Sequence, residues 1–161
     1  MTTQHDHWKA QTVRRPDDVP PATPLLWQIE KLTEHSDRLM NNDLPADFPY
    51  EVERGDVGDA LAAIALRESM HRDIEHGRGT RVHDAIKLGA TWSELATALD
   101  ITTDAARALL RTWADGQHNL YQHYVDRGDA RPVGFDPDKY AAVLALTELA
   151  DDETVHGGSR G

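Results

Sequence analysis

Residues 89–113 read GATWSELATALDITTDAARALLRTW, and the fold turns on this stretch. Small or apolar residues stand at Leu95, Ala96, Leu99, Ile101, Ala106 and Leu109. Leu95 and Leu99 lie one turn apart on a first helix, and Ala106 and Leu109 share a face of a second. Ala96 is small where two steeply crossing helices come closest, and Ile101 drops from the turn into the wedge between them. Thr102 or Thr103 can cap the second helix by accepting from a free backbone N–H, and Asp104 suits its positive end. Trp92 covers the wedge from its edge. The spacing predicts two short helices joined by a tight turn, the second continuing past Trp113.

This pattern resembles the helix-turn-helix domains of bacterial transcriptional regulators, most closely a form in which a long helix leads into a Gly-Ala-Thr/Ser-Trp entry. Here the entry is Gly89, Ala90, Thr91 and Trp92, and the leading helix is Asp59 to Leu88. The resemblance implies a protein that lays its second helix in the major groove of double-stranded DNA. It implies Thr91, Thr102, Thr103, Asp104, Arg107 and Arg111 as the DNA-binding residues. Arg107 or Arg111 would hold guanine or phosphate, and Asp104 would accept from a cytosine amino group. Backbone N–H groups at the start of either helix would hold phosphates. Two positions depart from the pattern. Asp100 stands where glycine is usual, and Thr102, Thr103 and Asp104 stand where a basic residue is common.

Composition bounds the alternatives. The chain has 161 residues and no cysteine, which excludes disulfides, zinc–thiolate sites and thiol catalysis. The N-terminus, MTTQHDHWKAQ, lacks the apolar core of a signal peptide, and no apolar run approaches a membrane span. A cytoplasmic protein without membrane contact is expected. The formal charge of −11 opposes nucleic-acid binding, which rests on cations meeting phosphates. The acidity lies in the flanks, however: residues 80–125 hold four Lys/Arg against five Asp/Glu. The same flanks suggest a second function, in which the fold is an acidic module that docks a basic protein surface.

Outward from the motif, residues 1–23 show no periodicity and read as a disordered arm; Asp17 and Asp18 follow Arg14 and Arg15 at once. A first helix should start at Thr23-Pro24 and run to about Asn41. Its Leu25, Ile29, Leu32 and Leu39 fall at heptad-like spacing, suited either to a homodimer seam or to packing within the monomer. After a loop over 42–56, a helix from Val57 to His76 should bury Val57, Leu61, Ile64, Ala65 and Ile74. His76-Gly77-Arg78-Gly79 either breaks that helix or carries it, strained, into residues 80–88. The aromatic face from Trp113 to Tyr124 offers packing or a second homodimer seam. Asp136-Pro137 should start a last helix, and residues 151–161 read as a disordered tail. These signals predict an all-α protein: one helical domain over 24–150, with a two-helix N-terminal extension, a central motif over 89–113 and a C-terminal helix.

Other chemistry has little to stand on. Glu68, His71 and Glu75 share a helix face, but no companion helix repeats the carboxylate–histidine spacing that a di-iron bundle needs. No metal, no cofactor and no catalytic residue is predicted, because neither a phosphate loop nor a nucleophile elbow occurs. The reading is a DNA-binding regulator acting as a homodimer and not an enzyme, with the protein-docking module as the alternative.

Overall fold

The computed structural model describes residues 3–158, and its helices are α1 (Gln4–Ala10), α2 (Leu25–Met40), α3 (Val57–Lys87), α4 (Trp92–Leu99), α5 (Thr103–Asp126) and α6 (Pro137–Ala145). Short 3-10 turns complete the regular structure, and the fold is all-α, as the sequence predicts. No helix among the described residues is long and apolar enough to cross a membrane. The described residues cluster into two compact units, one up to Glu75 and one from His76.

The first unit corrects the expectation of a disordered arm. Thr3 caps α1 reciprocally: its hydroxyl accepts from the Asp6 amide at 3.1 Å, and its own amide donates to the Asp6 carboxylate at 2.9 Å. Trp8 is 4% exposed and donates its indole N–H to the Trp27 carbonyl at 3.0 Å. Trp8, Val13, Ala65 and Leu66 make the core of this unit, with Val19, Trp27 and Leu32 against it. A helix of two turns carries too little periodicity to announce itself; one indole with a surface to cover is enough to order it. Residues 1 and 2 of the expected arm lie outside the described residues.

α2 and α3 meet through polar groups. Gln28 is fully buried; its amide donates to Asp73 at 2.9 Å and its oxygen accepts from Ser69 Oγ at 2.9 Å. Asp59 Oδ1 lies 2.7 Å from His35 Nδ1 and accepts from Arg38 Nε at 2.8 Å. Asp56 and Asp59 also cap the start of α3 reciprocally, each carboxylate accepting the other's amide at 2.9–3.0 Å. In this unit the buried side of α3 is therefore Asp59, Ala62, Ala65, Leu66 and Ser69, and of the expected set only Ala65 is buried. Val57, Leu61, Ile64 and Ile74 are exposed, because small and hydrogen-bonding residues let α2 approach where branched ones would not.

Asp59 makes this unit acid-sensitive. The bond to His35 holds its carboxyl well below the usual range; the Asp56 amide and Arg38 add to the depression, and burial opposes it. A carboxyl whose folded pKa is depressed stabilises the fold fully above its unfolded value, and that contribution drains away as pH falls below it. The midpoint of thermal unfolding should drop as pH falls from about 5 to about 3. In Asp59→Asn, less stable at neutral pH, that part of the dependence should vanish. A pH series by calorimetry in which both proteins fall in parallel would refute the assignment.

In the second unit, α3 passes through Gly77 and Gly79 without a break and stops at Gly89. Gly89 takes φ +97°, and the Ala90 amide turns back to the Ala85 carbonyl at 2.9 Å. That explains the Gly-Ala-Thr-Trp entry in local terms: glycine ends one helix, threonine caps the next, and tryptophan is buried. Trp92, Val82, Ile86, Leu95, Ala106, Leu110, Ala114, Phe135 and Val143 form the core. On α5 the fully buried stripe is Ala106, Leu110 and Ala114, so Leu110 takes the place expected of Leu109. Asp136 caps α6 as predicted, accepting from the Lys139 amide at 2.8 Å.

The chain beyond α6 is not a free tail. Leu146 and Leu149 pack on the core, and Thr154 is buried, its amide bonded to the Gly158 carbonyl at 3.0 Å. Leu146 and Leu149 supply the apolar anchor, and backbone carbonyls find donors on α4 and α5. Residues 159–161 of the expected tail lie outside the described residues.

Candidate nucleic-acid interface

α4 and α5 are joined by Asp100, Ile101 and Thr102. Asp100 adopts the left-handed conformation (φ 54°, ψ 45°), which a short polar side chain tolerates, and the Ile101 amide reaches back to the Ala96 carbonyl at 3.1 Å. Thr102 then caps α5 by accepting from the Ala105 amide at 3.1 Å. The tight turn stands where the sequence places it, and of the two threonines that could cap the second helix it is Thr102 that does so.

Of the six residues predicted to touch DNA, Thr91, Thr103 and Arg107 are engaged within the fold, and Thr102, Asp104 and Arg111 are exposed. Thr91 is 3% exposed: its hydroxyl accepts from the Glu94 amide at 3.1 Å, and its own amide donates to the Glu94 carboxylate at 2.9 Å. It caps α4 from the inside and presents nothing outward. Arg107 is also drawn in, its side chain 12% exposed. Its Nε donates to the Thr147 carbonyl at 3.1 Å, and its Nη2 donates to the Leu149 carbonyl at 2.9 Å and to Asp151 at 2.6 Å. The guanidinium also stands 5.3 Å from the Trp92 ring centre, a cation–π contact. The expectation that Arg107 projects into a groove is therefore corrected. It flanks the Ala106–Leu110–Ala114 stripe on the side where residues 146–151 return.

Asp151 is the residue the sequence did not reveal. Its carboxylate accepts from Thr103 Oγ1 at 3.2 Å as well as from Arg107, and its carbonyl accepts the Ser93 amide at 2.9 Å. It thus joins the starts of α4 and α5, and it occupies a backbone donor of α4 that was expected to hold phosphate. The signal was present as Leu146 and Leu149 followed by paired acids, but helical periodicity ends before it.

Thr102, Asp104, Ala105, Ala108, Arg111, Thr112 and Asp115 remain exposed along α5. Asp104 is almost entirely in solvent, 3.7 Å from Arg107 Nη1. Arg111 is exposed and makes no ion pair among the described residues. The open face thus offers short side chains, one cation and two acids, and it can approach a groove closely while supplying little charge attraction. Comparison of the chain with protein-family models, with curated proteins and with solved structures finds no match in any of the three.

Proposed function

We propose that α4, its turn and α5 form the DNA-reading module of a transcriptional regulator of the helix-turn-helix kind, with α5 in the major groove. One observation carries this reading: Thr102, Asp104, Ala105, Ala108, Arg111 and Thr112 are exposed together on the first turns of α5. All but Arg111 are short, so the helix axis can come close to base edges. Arg111 takes the role of guanine or phosphate contact. Thr102 and Asp104 face the bases, and Thr91 and Arg107 keep the fold. Recognition of a two-fold site by a homodimer follows the usual economy of such modules, and Leu25 and Ile29, 40% and 48% exposed, are available to a second copy.

Duplex binding measured with genomic fragments should be detectable at low salt and fall steeply as salt rises. Arg111→Ala should leave the fold intact and weaken duplex binding by about 1–3 kcal/mol. Absence of duplex affinity at low salt would sink the proposal, and sedimentation of only an 18.0 kDa species at about tens of micromolar would remove the homodimer.

A second reading, a protein-docking module on the same fold, is favoured by Asp104 and Asp115 flanking Arg111 and by the neutralisation of Arg107 by Asp151. It expects no duplex affinity at any salt concentration.

A further inference from the structure

The first unit is acidic overall, yet one cavity in it, of about 230 Å³, is bordered by Lys9, Arg14, Lys31, His35 and Arg38, with Glu34 the one carboxylate on its wall. Lys31 is the unusual member. It is 7% exposed, its ammonium donates to the Lys9 carbonyl at 2.8 Å and lies 5.1 Å from the Trp8 ring centre, and it has no ion pair among the described residues. An ammonium carries three donors, and one carbonyl takes one of them. A cation withdrawn from water without a counter-ion is costly, and natural folds pair such groups or bring a ligand to them. Burial pushes the Lys31 ammonium below its ordinary range; Glu34 pulls the other way and Arg38 adds to the fall.

The other cations sort by their partners. Arg38 is held by Asp59 at 2.8 Å, with Glu53 at 3.8 Å, and His35 rests on the same Asp59 carboxylate. The Arg14 guanidinium donates to the Val13 carbonyl at 2.9 Å while the Arg14 backbone amide holds Asp18, and neither that guanidinium nor the Lys9 ammonium forms an ion pair among the described residues. The cavity therefore has one buried and two exposed cations that form no ion pair, set against a single carboxylate, the exposed Glu34.

We propose that this cavity binds a small phosphorylated metabolite, with Lys31 as the buried anchor for its phosphate and Arg14 and Lys9 on the rim. A guanidinium fork and an ammonium point charge suit phosphate oxygens, and the volume is below that of pockets for drug-sized ligands, which admits a phosphate with a few further atoms. The site is independent of the function proposed above.

Pyrophosphate and inorganic phosphate, titrated into the full chain against chloride at matched ionic strength, test it by calorimetry. About 10 mM pyrophosphate should raise the unfolding midpoint by roughly 5 °C. Lys31→Met, similar in length and uncharged, should fold and lose that shift. Arg14→Gln, at an exposed position, should weaken pyrophosphate binding about tenfold. No shift in the parent protein, or an equal shift in Lys31→Met, overturns the proposal. Should Lys31→Met not fold, unchanged pyrophosphate affinity in Arg14→Gln overturns it instead.

Discussion

Arg107→Ala is expected to destabilise the unit of residues 76–161 by about 2–4 kcal/mol, the range for losing several hydrogen bonds from a charged, largely buried group. The guanidinium serves the carbonyls of Thr147 and Leu149 and the Asp151 carboxylate at once. Removing it leaves two carbonyls without their donor, takes the cation from Asp151 and removes the cation–π contact with Trp92. Arg107→Lys should recover only part of the loss, since an ammonium can neutralise Asp151 but cannot span both carbonyls with a planar fork. Asp104→Ala is the matched control: its contact with Arg107 is 3.7 Å long and its side chain 97% exposed, so it should be close to neutral. Amide hydrogen exchange over residues 92–151 reads the effect within the unit. Unchanged protection in Arg107→Ala, with weaker duplex binding, would return Arg107 to the DNA-contact role.

Two glycines two residues apart on α3, and so on nearly opposite faces, should respond to alanine with opposite signs. Gly77 has nothing near the position a methyl would take, so Gly77→Ala should stabilise by about 0.5–1 kcal/mol through helix propensity alone. At Gly79 a methyl would overlap Trp113 Cβ and Cγ and lie 3.0 Å from Cδ1. Cβ is fixed to the α5 backbone, so no rotamer relieves the clash and the two helices must part. Trp113 is also held edge-on against Phe135, with ring centres 5.0 Å apart. Gly79→Ala should therefore destabilise by about 2–3 kcal/mol, the usual cost of overpacking. Calorimetric midpoints for the two variants settle the matter, and a gain in both would show that the helices give way easily.

This pair also shows what a sequence conceals. His76-Gly77-Arg78-Gly79 reads as either a break or a strained continuation, because propensity counts both glycines alike; only packing against Trp113 makes one of them necessary. The all-α class, the α4–α5 turn and the Asp136 cap were legible because each rests on neighbours within four residues: threonine and aspartate caps, an aspartate that tolerates the left-handed region, a proline at a helix start. The buried side of α3 was not, since Asp59 and Ser69 face inward only because Gln28, His35 and Arg38 meet them from α2. Likewise Thr91 and Arg107 are polar residues in a suggestive motif. Their partners decide whether they point out or in, and Asp151 lies 44 positions from Arg107.

That separation has a consequence for biosynthesis. A ribosome adding about 5–20 residues per second needs roughly 2–9 s to travel from Arg107 to Asp151. For that interval α4 and the start of α5 are complete in the nascent chain while the carbonyls and the carboxylate that seat the guanidinium do not yet exist. The second unit thus acquires this charge arrangement only once residues 147–151 are made, and a ribosome stalled before residue 147 would hold an Arg107 with none of these partners.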